Sequence, residues 1–180
     1  MTTPLEQIAL QTITAQTTTL ASFPAKAKLI VNVASRCGLT PQYTGLEALY
    51  RQHQAAGLLV LGFPANNFKQ QEPGTDEEIA AFCSSEYGVS FPLFSKISVT
   101  GADIHPLYQT LTRAHPERIG GESFRSRLAE RGITPEHLTD ILWNFEKFLL
   151  DEHNQIVARF APNIAADDPA LLDELAKLLS

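Results

Sequence analysis

Two β-branched apolar runs stand on either side of a helical pattern, and that arrangement restricts the fold more than any other feature of the chain. Leu29 to Ala34 reads LIVNVA, and Leu58 to Phe63 reads LLVLGF. Each is short and nearly continuously apolar, the habit of a strand covered on both faces. Between them, Thr40 suits a helix N-cap and Pro41 suits the first helical position. Leu46, Leu49, Tyr50 and His53 fall on one face, and Gly57 is placed to end the helix near Ala56. Strand, helix and strand in this order predict two parallel strands joined by a right-handed crossover.

The remaining segments extend this unit. Residues 6–20 alternate apolar and threonine positions, which predicts a short N-terminal β-hairpin. After a polar loop from Pro64 to Gly74, Thr75-Asp76-Glu77-Glu78 forms a capping box. It opens a helix carrying Ile79, Phe82 and Cys83 that Gly88 closes. Pro92 to Val99 is expected to include a third strand, and His105 to Ala114 a short helix. Ile141 to Leu150 and Gln155 to Phe160 flank Asp151-Glu152-His153-Asn154 and read as an antiparallel hairpin. Asp168-Pro169 starts a final helix with Leu171, Leu172, Leu175, Leu178 and Leu179 on its apolar side. Residues 115–139 are polar and Arg/Glu-rich, with a short helix around Phe124 to Glu130, and are expected to form a surface insertion. The expected fold class is α/β: a central mixed sheet of four to five strands flanked by helices, an order that resembles the thioredoxin-like fold.

Composition removes several function classes. With 180 residues the chain is expected to form one domain over 1–180. Its net charge of -6 argues against non-specific binding to nucleic acid, which needs a basic face. Two cysteines are too few for a disulfide scaffold. The opening MTTPLEQIALQTITAQ lacks the basic start and apolar block of a secretory signal, and no apolar run reaches the ~18 residues needed to span a bilayer. A soluble, cytoplasmic protein is expected, with its thiols reduced by default.

Within that frame Cys37 is the candidate nucleophile. It follows the first buried strand and precedes a helix start, where unpaired backbone N–H groups favour a thiolate. In open α/β sheets, sites lie beyond the carboxyl ends of the strands. The loop after the second strand, Pro64 to Gly74, ends on the same side. Read alone, however, a cysteine after a strand is more often a buried small hydrophobe. Cys83 on an apolar helix face has the same bland reading, and Trp143, Asn144 and Gln71 read singly as packing or loop residues. His53, His105, His115, His137 and His153 show no metal-ligand spacing, and no metal or cofactor is expected.

Three blocks change that balance. NVASRCGLTPQYTGLEALY, GFPANNFKQQEPG and LWNFEKFLLD resemble the signature blocks of the glutathione peroxidase family, in the right order. The resemblance runs from about residue 5 to the C-terminus, interrupted mainly by 115–139. It implies a thioredoxin-like fold and reduction of hydrogen peroxide and organic hydroperoxides. Cys37 stands where selenium members carry selenocysteine, so the chain resembles the cysteine-type members, which generally draw electrons from thioredoxin rather than glutathione. By the same resemblance Cys37, Gln71, Trp143 and Asn144 correspond to the catalytic tetrad, and Cys83 to the resolving cysteine. Ala65 stands where many relatives have a cysteine, Asn67 replaces a usual glutamine, and Lys69-Gln70 replaces a small or glycine-rich pair. The implied cycle makes a sulfenic acid on Cys37 and then a Cys37–Cys83 disulfide that thioredoxin reduces. Because Cys83 sits within a helix, that helix is expected to unwind for the disulfide to form. A peroxide sensor or redox relay, passing the disulfide to a partner protein, uses the same residues and is the alternative.

Overall fold

The protein is described here by a computed structural model that covers residues 3–180. In chain order the elements are β1 (Leu10–Gln11), β2 (Thr17–Thr18), β3 (Ala27–Val33), α1 (Gln42–His53), β4 (Leu58–Pro64) and α2 (Asp76–Tyr87). They are followed by α3 (Pro106–Ala114), α4 (Glu122–Glu130), β5 (Lys147–Asp151), β6 (Ile156–Phe160) and α5 (Pro169–Leu179). β1 and β2 form a small antiparallel pair of their own. The main sheet has the order β4-β3-β5-β6. β3 is parallel to β4, with Leu29 opposite Val60, and antiparallel to β5, with Leu29 opposite Leu149. The sheet is therefore mixed, and helices flank it as the βαβ pattern requires.

Both long apolar runs are largely buried, β3 inside the main sheet and β4 at its edge. Every residue of β3 is buried, including Lys28 and Asn32. The hydrophobic core links β3, β4 and β5 with Leu46 and Leu49 of α1, Tyr108 and Leu111 of α3, and Leu171 and Leu175 of α5. Tyr108 packs edge-on against Phe63 of β4 and Phe148 of β5, at centroid distances of 6.1 and 6.2 Å. No helix among the described residues is long and apolar enough to cross a membrane.

Four boundaries differ from the sequence expectation, each for a local reason. The expected third strand within 92–99 is reduced to isolated parallel bridges, Gly62 with Leu93 and Ala65 with Ile97. Pro92 has no N–H to give a ladder. The segment instead leans on the β4 edge, so closely that a Cβ on Gly62 would lie 2.7 Å from Leu93 Cδ2. Residues 141–146 are not strand, because they turn across the end of β3 before β5 begins at Lys147. α1 starts at Gln42 rather than at Pro41, since the Thr40 hydroxyl is engaged with Cys37 and Ala34, and it ends at His53 rather than near Ala56, where Ala56 and Gly57 instead make tighter turn bonds to the His53 and Gln54 carbonyls. The 115–139 segment is not wholly solvated: Phe124 and Leu128 of α4 are buried. By contrast, Thr75 and Glu78 form both bonds of the capping box on α2, and Gly88 closes the helix in the left-handed region at φ 58°.

Candidate active site

The turn that follows β3 shapes the thiol's surroundings. The Cys37 N–H donates to the Thr40 hydroxyl at 2.9 Å, and that hydroxyl donates to the Ala34 carbonyl at 2.8 Å. Thr40 thus ties the turn to the strand end rather than capping α1. The closed turn aims the Leu39 N–H at Cys37 Sγ, 3.3 Å away. A backbone donor on sulfur favours its charged form. Cys37 is 9% exposed, enough to touch solvent from one side only.

Gln71 is held over this turn by its backbone. Its carbonyl accepts from the Arg36 N–H at 3.0 Å, and its own N–H reaches Phe68 at 3.3 Å. Lys69 and Gln70, just before it, both adopt left-handed backbone, at φ 55° and 53°. That conformation suits glycine best and reverses the loop sharply. Glu72, next in line, is buried; its carboxylate accepts from the Ser35 N–H at 3.1 Å, and burial pushes its pKa up.

Trp143 and Asn144 arrive from the segment before β5. Asn32, the one uncharged polar residue of β3, anchors them. Its side-chain amide donates to the Trp143 carbonyl at 3.0 Å, and its carbonyl accepts from the Phe145 N–H at 2.6 Å. Phe145 takes φ 70°, an uncommon backbone for an aromatic residue, and reverses the chain at this point. The Trp143 ring leans on Phe68 at a centroid distance of 5.2 Å. Asn144 is fully buried, and its amide donates to Gln71 Oε1 at 2.9 Å. That bond consumes the Gln71 acceptor and leaves the Gln71 amide N–H groups to act as donors.

Residues from three separated stretches therefore meet at the carboxyl ends of β3 and β4. A cavity of about 280 Å³ opens there, lined by Gly38, Leu39, Gln71 and Trp143 on one side. Phe124, Leu128 and Ile133, with Arg127 and Arg131, form the other side. Sequence reasoning missed these α4 residues because a polar helix gives no periodic signal toward a distant loop. It also missed Asn32, although a lone amide inside an apolar strand was a visible cue.

Cys83 lies apart from this cavity. It is fully buried in α2 and unbonded to Cys37. Burial pushes its thiol up to about 11, opposed by the neighbouring Tyr43 hydroxyl and helped by the Glu72 charge.

Comparison with known proteins agrees with this arrangement. The family model for glutathione peroxidase matches residues 5–112. The Escherichia coli (strain K12) protein described as thioredoxin/glutathione peroxidase BtuE is 45% identical over 170 residues, covering 93% of each chain. A crystal structure of T. cruzi GPX1 superposes with a TM-score of 0.71 at 28% identity, covering 98% of this chain and 97% of that one. A thioredoxin-family thiol:disulfide interchange protein from Chlorobium tepidum TLS shares the fold at a TM-score of 0.60 and 13% identity, covering 100% of this chain and 98% of that one. With most of its length matched at such identity, and its sheet in the thioredoxin-like arrangement, the chain belongs to the glutathione peroxidase family.

Proposed function

We propose that this protein is a thiol peroxidase that reduces hydrogen peroxide and organic hydroperoxides through Cys37, with thioredoxin as its reductant. The observation that carries the reading is the Leu39 N–H on Cys37 Sγ at 3.3 Å, in a turn whose Gly38 and Leu39 line one cavity with Gln71 and Trp143. Sulfur attacks one peroxide oxygen, the O–O bond breaks, and the other oxygen leaves as water or alcohol after taking up a proton. Sulfur is oxidised to the sulfenic acid. The Gln71 amide and the Trp143 indole N–H are donors suited to the charge that develops on the leaving oxygen. Asn144 fixes which face of Gln71 they meet.

Cys83 then attacks the sulfenic sulfur. Its proton and the hydroxyl leave as water, and a Cys37–Cys83 disulfide remains. In place within α2 this thiol is fully buried, and burial pushes it up to about 11, further from the thiolate that would attack. Because Cys83 is buried inside a capped helix, the cycle is read as opening α2 to bring the two sulfurs together. Reduced thioredoxin returns both thiols by exchange.

A coupled NADPH assay tests this reading, with thioredoxin and thioredoxin reductase in one arm and glutathione with its reductase in the other. Wild type is expected to turn over with thioredoxin. Cys37→Ser is expected to be inactive in both arms, and Cys83→Ser to lose thioredoxin-driven turnover. Full thioredoxin activity in Cys83→Ser removes the resolving role. A single burst of peroxide consumption without sustained turnover in wild type, with a mixed disulfide to another protein trapped in Cys83→Ser, favours the relay instead.

A further inference from the structure

Glu72 is a buried carboxylate left without a cation. Glu47, Glu72 and Glu146 are the buried carboxylates among the described residues. Glu47 pairs with Arg51, and Glu146 pairs with Arg118 and Arg159. Lys96 lies near Glu72 but gives its amine to the backbone carbonyls of Glu72 and Gly74, not to the carboxylate. Glu72 Oε1 accepts from the Ser35 N–H at 3.1 Å, while Oε2 is buried with no hydrogen-bond partner among the described residues. A buried acceptor left open costs stability and calls for a reason.

The position of this oxygen supplies one. Glu72 lines a cavity of about 200 Å³ between the segments that carry the two cysteines. Ser35 and Arg36, directly before Cys37, form one wall, and Glu78, Ile79 and Phe82 of α2 form another. Ile79 and Cys83 are four residues apart and both buried, so they share the inner face of α2. Cys83 thus follows the cavity wall by one turn, and the Glu72 charge acts on both Cys83 and the Tyr43 hydroxyl beside it.

We propose that Glu72 is the proton acceptor for the resolving thiol, and that the cavity between Ser35-Arg36 and α2 is where Cys83 gives up its proton on the way to Cys37. The inference rests on the resolving role read for Cys83 and adds a catalytic residue to that step. As α2 opens, Cys83 enters the cavity and passes its proton to Glu72 Oε2. The thiolate attacks the sulfenic sulfur of Cys37. The S–S bond forms, the S–O bond breaks, and the departing hydroxide takes the proton back from Glu72 as water. The Cys37 sulfur is reduced as the Cys83 sulfur is oxidised, so the step draws on no other reductant. Burial holds Glu72 above the ordinary carboxylate value, while Ser35, Lys96 and Arg36 pull it down. The net rise strengthens its hold on the proton it must take. Glu78 is the other carboxylate on the cavity, and its bonds with Thr75 hold it below the ordinary value, which makes it the weaker acceptor.

Single-turnover kinetics on the full chain test this, with equimolar hydrogen peroxide and no reductant. Quenching with dimedone and an alkylating reagent, read by mass spectrometry, separates two phases: Cys37 to the sulfenic acid, then the sulfenic acid to the disulfide. Glu72→Gln keeps an oxygen for the Ser35 N–H and loses the base. It is expected to slow the second phase relative to the first by on the order of 10²-fold, so that the sulfenic acid accumulates. In wild type the second phase should rise with pH and level off once Glu72 is ionised. The glutamine variant should lose that plateau, and Glu72→Asp should recover part of the rate together with the plateau. A second phase at the wild-type rate in Glu72→Gln overturns the proposal. So does an equal fall in both phases, which makes Glu72 a support of the turn alone. Should the glutamine variant fail to fold, wild type decides: a second phase that climbs from about pH 7 to 9 without levelling shows the thiol ionising unaided, and overturns it. If wild type is oxidised at Cys37 yet forms no Cys37–Cys83 disulfide, the resolving role itself fails, and the role of Glu72 with it.

Discussion

Gln71 and Asn144 show how a single hydrogen bond can set the chemistry of a neighbour. Asn144 is fully buried, and its donor is spent on Gln71 Oε1. Asn144→Ala frees the Gln71 side chain to rotate and present its carbonyl, an acceptor, to the leaving oxygen. Peroxidase kcat/KM is expected to fall by on the order of 10²-fold, the size of losing one aligned donor in an oxyanion-type site. Trp143→Phe should show a comparable fall while keeping the contact with Phe68, because it removes the indole N–H and spares the ring. Stopped-flow oxidation of Cys37 measures both, and rates within twofold of wild type would sink the donor assignment. At this scale the residue types were legible in the chain and their geometry was not. Cys37, Gln71, Trp143 and Asn144 stand in recognisable blocks, but the Leu39 N–H and the Thr40 hydroxyl work only once the turn closes. Lys69 and Gln70 stand out as departures in sequence, and only their left-handed backbone explains why a glycine-like pair suits those positions.

Helix α2 carries a built-in contradiction between stability and turnover. Its first turn is fixed by the reciprocal Thr75–Glu78 bonds, its end by Gly88, and Cys83 is buried on its inner face. All three features hold α2 and Cys83 in place, yet the proposed cycle needs Cys83 to bond to Cys37. Thr75→Ala removes the cap and should cost about 1 kcal/mol of helix stability. Amide exchange across residues 76–88 is expected to rise in this variant, and alkylation of Cys83 in the reduced protein to speed up by about fivefold, because opening is pre-equilibrated. In wild type, the same amides should lose protection when Cys37 is oxidised by peroxide. Equal protection in both redox states would count against unwinding. The capping box and the closing glycine were readable because they are local in sequence. The short helix of α4 was readable as well, but its packing was not, because its placement depends on distant ionic contacts. Buried Arg159 bonds Glu146 at 2.6 Å and also donates to the carbonyls of His115 at 3.1 Å and Thr139 at 2.9 Å. One side chain of β6 thereby ties down both ends of the insertion, a role that nothing near residue 159 in the sequence announces.

For the molecule as a whole, the buried titratable groups predict an asymmetric dependence of stability on pH. Lys147 is fully buried next to the Trp143-Asn144 turn, and its amine donates to the Phe145 carbonyl at 2.6 Å and the Pro162 carbonyl at 3.3 Å. Burial pushes its pKa down from 10.5 to about 7, against the pull of Glu146. Between about 7 and 10.5 the unfolded chain therefore holds a proton that the folded chain does not, so stability climbs with pH through that window. The climb from this one group is about 1.4 kcal/mol per pH unit. Its contribution is complete above the unfolded value and is lost as pH falls to about 7. Cys83 acts with the opposite sign, because its folded pKa is raised from 9.0 to about 11. The folded chain keeps that proton while the unfolded chain releases it, so this part of the stability is full below 9 and declines from there to about 11. The two effects overlap only above pH 9, which leaves pH 7 to 9 as the interval where Lys147 acts without Cys83. Urea unfolding of Lys147→Met across that interval should show a slope of stability on pH smaller than wild type by about one proton's worth, ~1.4 kcal/mol per unit. The comparison of slopes separates titration from the two lost hydrogen bonds, since those shift the whole curve at every pH. Parallel curves for the two proteins would mean that Lys147 keeps its proton on folding, and that the two carbonyls bind an ammonium instead of an amine.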